Sequence, residues 1–123
     1  MRIYTHLEVD LDAVASVWAA REFIPGAREA ELVFVPANWD AAAMEEGDLA
    51  LDIVAGGRGI KGEQYSDDRV GSCFAVIIER YASEFDEVAL SSLVEFVDLQ
   101  DAYRVCRHVA RRSGGSRHAD RAR

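Results

Sequence analysis

The sequence predicts an α/β fold: a three-layer sandwich in which helices cover both faces of a mainly parallel sheet with Rossmann-like strand order. Short apolar runs of strand character alternate with helical patterns, and right-handed crossovers turn such an alternation into parallel pairing. The strands are almost continuously apolar, as in sheets buried on both faces, rather than alternating as in sheets with one wet face.

Residues 2–7 predict the first strand. Residues 11–24 predict a helix with Leu11, Val14, Ala15 and Trp18 on its apolar face, stopped by Pro25-Gly26. Glu31 to Val35 predicts a second strand closed by Pro36, after which Asn38 or Asp40 could cap a short helical piece from Ala41 to Glu46, ended by Gly47. The third predicted strand runs from Leu49 to Ala55. Gly56-Gly57-Arg58-Gly59-Ile60-Lys61-Gly62 follows as a loop containing four glycines and the chain's only lysine. Gly71-Ser72 opens a helix with Phe74, Ile77, Ile78 and Tyr81 on one face, and Asp86 begins a longer helical pattern with Leu90, Leu93, Val94 and Val97 in register. From Arg111 almost nothing is apolar, which predicts a disordered basic tail over 111–123 behind a single domain of residues 1–110.

A chain of 123 residues, half of them hydrophobic, can bury one core. No apolar run approaches the roughly 20 residues of a membrane span, and the start lacks a signal peptide's layout, so a cytoplasmic protein without a membrane partner is expected. Cys73 and Cys106 have no CxxC spacing and are expected to be buried thiols. The net charge of -8 is uneven: residues 1–100 carry 7 basic and 20 acidic side chains, residues 101–123 carry 7 and 2. Such an acidic body argues against nucleic acid as a partner. It still admits an anionic substrate if a divalent cation stands between carboxylates and phosphate.

The chemistry-bearing residues cluster early. His6, Asp10 and Asp12 lie where the first strand gives way to a helix, and alternate side chains of extended or turning backbone can converge on one hard cation. The same acids could instead cap the helix and favour its dipole. Asp52 sits within the apolar run Leu49-Ala50-Leu51-Asp52-Ile53-Val54, where a carboxylate must be neutralised, paired or bound to a cation. The cation could be one shared with His6 and Asp10; the pairing could be with Arg58 or Lys61. In the glycine loop, backbone amides around Gly57 and Gly59 could approach a phosphate, with Arg58 and Lys61 adding charge-assisted contacts. A plain flexible connection explains the glycines equally. The loop matches neither the P-loop nor the GxGxxG pattern, and no serine lies in a nucleophile elbow.

With His6, Asp10 and Asp12 followed by Asp52 at the end of a later apolar strand, the chain resembles the DHH phosphoesterase superfamily over about residues 2 to 101. The resemblance implies two divalent ions, usually manganese, that serve to cleave phosphoester or phosphoanhydride bonds. It implies that His6, Asp10, Asp12 and Asp52 are metal ligands, with Asp98 in the region of the family's final acidic ligand. It also implies that a second, substrate-binding domain would ordinarily follow. The sequence departs from the pattern between Asp52 and Gly71, where the Asp-His-His motif should lie and no histidine occurs. The functional expectation is a Mn²⁺- or Mg²⁺-dependent phosphohydrolase acting on a small phosphorylated molecule or nucleotide. The alternative is a catalytically degenerate relative that binds such a ligand or a protein partner. The apolar final helix could also bury itself against a second copy, giving a homodimer.

Overall fold

The computed structural model describes residues 1–62 and 71–112, with side chains through Tyr103. Its elements are β1 (Arg2–His6), α1 (Leu11–Phe23), β2 (Glu31–Val35), β3 (Leu49–Ala50), a 3₁₀ turn (Ala55–Gly57), α2 (Cys73–Tyr81), α3 (Glu84–Ala89) and α4 (Ser91–Arg112). The three strands form a parallel sheet in the order β2-β1-β3. β1 is therefore central: the chain leaves it through α1 to add β2 on one side, then crosses back to add β3 on the other.

Alternation along β1 divides the core in two. Ile3 joins Leu51, α1, α2 and Val97 of α4 in one cluster, whereas Tyr4 joins Val35, Ala41, Ala50, Ile53 and Ala55 in another. The helices thus cover the first face. The second is covered by the segment after β2, where Trp39 stacks on Tyr4 at 4.4 Å between ring centres. The expected helix from Ala41 to Glu46 does not form; Ala41 takes φ 67° and the segment proceeds by turns. With no helix there to span the gap, Trp39 and Met44 supply the apolar cover directly.

The most buried element is α2, whose residues Cys73 to Ile78 are all buried. Its neighbour α1 meets it with small side chains: Ala13, Ser16, Ala19 and Ala20 are buried, while Leu11, Val14 and Trp18 are 40–55% exposed. The apolar face expected for α1 is therefore not the one it buries. Small residues allow a close helix–helix approach, and that contact outweighs the larger side chains on the opposite side. The long helical pattern expected from Asp86 is two helices. Ser83 caps α3, accepting from the Asp86 amide, and the chain re-aims at Leu90 before α4. α4 continues through Arg112; the rest of the expected tail lies outside the described residues. Among the described residues no helix is long and apolar enough to cross a membrane.

β3 is shorter than expected. Paired strand ends with a single bridge between Leu51 and Ile60, and the backbone then folds on itself, with the Asp52 amide donating to Ile60 O and the Ile60 amide to Ala50 O, both at 2.8 Å. This closure leaves no room at Gly59, where a Cβ would collide with the Ile53 carbonyl. Gly59→Ala is expected to destabilise the fold by about 3 kcal/mol, measurable by urea unfolding, whereas alanine at Gly57, which has open space but a positive φ, should cost only about 1 kcal/mol.

Candidate functional site

The parallel register pairs Tyr4 with Ala50, so two residues further on His6 and Asp52 meet at the carboxyl ends of the neighbouring strands. His6 Nε2 and Asp52 Oδ2 lie 2.9 Å apart, and both side chains are largely buried, at 15% and 11% exposure. Asp10 joins them from the turn into α1. One ligand atom from each of His6, Asp10 and Asp52 falls within 4.8 Å of the others. Asp10 also serves as the helix cap, its Oδ1 accepting from the Ala13 amide at 2.8 Å. Capping and convergence are thus compatible in one side chain.

Asp12 behaves differently from its expected role. It is 4% exposed and reaches across to α2, where Oδ2 accepts from the Cys73 amide at 3.0 Å and Oδ1 from the Phe74 amide at 2.9 Å and the Ser16 hydroxyl at 3.2 Å. A carboxylate here satisfies two orphan amides of α2 and sits at the positive end of its dipole. Both oxygens are committed, and Asp12 is not in the convergent group. Asp98, also buried, accepts from the amide and hydroxyl of Ser72, at 2.9 and 2.6 Å, through one oxygen. Ser72 in turn caps α2 by accepting from the Ala75 amide. Asp98 therefore supports the head of α2 and, among the described residues, does not join His6, Asp10 and Asp52.

The glycine loop spends its amides on itself. Gly57 and Gly59 both donate to Val54 O, and Arg58 donates to Ala55 O, so these groups do not form a free cradle for phosphate. Arg58 and Lys61 remain as exposed cations on the loop that follows Asp52. Among the described residues Asp52 is paired with His6 rather than with either of them. The interval where an Asp-His-His motif would fall, including Gln64 to Asp68, lies outside the described residues.

Burial pushes the Asp52 carboxyl up to about 7, and the charges of Asp12 and Asp10 add to the rise. The His6 hydrogen bond and the more distant Lys61 charge oppose it. Asp52 also holds a left-handed backbone, φ 61°, with Ala55 nearby at 49°. Strain of this kind persists where the surroundings over-determine it and concentrates at functional sites. Cys73, next to the site, is a buried thiol pushed up to about 12, chiefly by burial, which makes it a packing residue and a poor nucleophile.

The sequence held no local signal for the Asp12 contacts, because the amides it meets are 61 and 62 residues away. Ser72 was legible as a helix start, but its bond to Asp98 was not.

Two outcomes follow. Asp12→Ala strands two buried amides and is expected to cost about 3 kcal/mol of stability, read by denaturant unfolding. For Asp52, the raised value means that the folded state holds a proton which the unfolded chain has released between about pH 4 and 7. The metal-free protein therefore loses stability as pH rises through that window. Asp52→Asn should stabilise metal-free protein by about 1–2 kcal/mol at pH 8, and the gain should vanish near pH 4.

Comparison with protein-family models, with curated proteins and with solved structures finds no match to this chain.

Proposed function

We propose that the chain is a divalent-cation-dependent phosphohydrolase of the DHH type, holding Mn²⁺ or Mg²⁺ through His6, Asp10 and Asp52 and acting on a phosphoester or phosphoanhydride. The observation that carries this reading is the convergence of those three side chains within 4.8 Å at the edge of the sheet. With metal–ligand distances near 2.1 Å, neighbouring donors around such an ion lie about 3 Å apart and opposite donors about 4 Å. The 2.9 Å between His6 and Asp52 already fits a neighbouring pair, and the full spread closes with sub-ångström side-chain motion. One imidazole and two carboxylates form a donor set suited to Mn²⁺, and three protein ligands leave coordination positions for water and substrate.

The topology supports the same place. In open parallel sheets ligands gather outside the carboxyl ends of the strands where the strand order reverses, and here that point lies between β1 and β3. A bound cation would polarise a phosphoryl oxygen and acidify a water. The chain's own residues would do the rest: His6, Asp10 and Asp52 fix the ion's position, and Arg58 and Lys61, exposed on the loop after Asp52, steady the phosphate by charge. An acidic body needs that cation, since without it a phosphate would meet mainly carboxylates.

A second reading rests on one observation: no histidine occurs between Asp52 and Gly71, so a two-ion centre would lack ligands there. In this reading one ion binds a nucleotide or phosphate without cleaving it.

Calorimetric titration of Mn²⁺ into the protein, alongside hydrolysis of a generic aryl phosphodiester, tests both. The expected result is one ion bound per chain, with affinity reduced at least about tenfold in His6→Ala, Asp10→Asn and Asp52→Asn, and chelator-sensitive turnover. Binding without turnover would favour the second reading; no binding would overturn both.

A further inference from the structure

Two of the three converging side chains are tied together one residue upstream of each. Thr5, which precedes His6, is 1% exposed, and its hydroxyl donates at 2.9 Å to Leu51 O, the carbonyl that precedes Asp52. The bond forms away from water, so no solvent competes for either partner.

Its place in the backbone gives the bond a consequence for Asp52. Regular pairing of β3 ends at Ala50, and just past it the Leu51 amide donates to Tyr4 O at 2.8 Å. The next peptide unit joins Leu51 to Asp52. Its N–H donates to Ile60 O at 2.8 Å, and its C=O accepts from the Thr5 hydroxyl. A peptide unit is planar, so holding both of its polar atoms fixes the plane from which the Asp52 side chain departs. Asp52 leaves that plane at φ 61°, a left-handed conformation that persists where the surroundings over-determine it. This departure carries Oδ2 to 2.9 Å from His6 Nε2. Valine would fill nearly the same space without a hydroxyl to desolvate; the grip on Leu51 O is what the hydroxyl adds.

We propose that Thr5 is a positioning residue of the candidate metal site: through Leu51 O its hydroxyl holds the Leu51–Asp52 peptide unit and thereby sets the Asp52 carboxylate opposite His6 and Asp10. The inference rests on the cation reading above, and Thr5 acts only through Asp52.

Thr5→Val keeps the shape and removes the donor, whereas Thr5→Ser keeps the donor and removes the methyl group. Thr5→Ala also lacks the donor and takes the place of Thr5→Val if that chain does not fold. Ile24→Val, a buried change at the opposite end of α1 from Asp10, controls for lost stability alone. Calorimetric titration is expected to show Mn²⁺ affinity lowered about tenfold in Thr5→Val and kept within about twofold of the parent in Thr5→Ser and Ile24→Val. Amide exchange in metal-free protein supplies a second readout. The Asp52 amide should exchange faster in Thr5→Val, beyond any change at the Leu7 amide, which is bonded to Val35 O on the other side of β1. Undiminished Mn²⁺ affinity in the donor-free variant, an equal loss in Thr5→Ser or Ile24→Val, or an Asp52 amide as protected as in the parent would overturn the proposal and leave the cation reading in place. A parent that binds no Mn²⁺ would overturn both.

Discussion

The fold depends on the Asp12 carboxylate at the head of α2. Through bonds to the Cys73 and Phe74 amides and to Ser16, this one side chain fastens the turn after β1 to the most buried helix of the molecule. Charge-assisted bonds to amides, formed away from water, are stronger than neutral ones and costly to leave unmade. Asp98 does a similar job from α4 through Ser72. Two carboxylates from two helices thus meet the same helix terminus, and the small-residue face of α1 lets the helices close around it.

That arrangement makes Asp52 the unusual acid. Asp12 and Asp98 have amides or hydroxyls to accept from; Asp52 faces an imidazole, a second carboxylate in Asp10 and the nearby charge of Asp12. Burial and like charge raise it, and its left-handed backbone adds strain. A divalent cation would relieve both the desolvation and the repulsion at once, which is the physical ground for proposing an ion there.

Much of this was legible in the sequence where local physics decides. β1, β2 and the bounds of α1 follow from apolar runs, Pro25-Gly26 and the Asp10 cap. That Asp52 is largely buried and needs a partner follows from its place inside an apolar run. What was not legible depends on distant partners. Asp12 reads as a ligand or a cap of its own helix until the amides of α2 arrive, and α1 reads as burying Leu11, Val14 and Trp18 because alanine and serine carry little hydrophobic signal. The glycine loop reads as a phosphate cradle until its amides are seen to close on Val54 and Ala55. The missing helix after Asn38 reflects a core that needed the Trp39 ring against Tyr4 more than it needed another helical turn.

Without an ion, Asp52 is held buried beside other carboxylates, a state that a cation would relieve. Carboxyl carbon NMR of Asp52 across a pH titration, without and with Mg²⁺, addresses it directly. The expected midpoint is near 7 in metal-free protein, with a marked fall when the ion is present. A midpoint in the ordinary carboxylate range, unmoved by Mg²⁺, would contradict it.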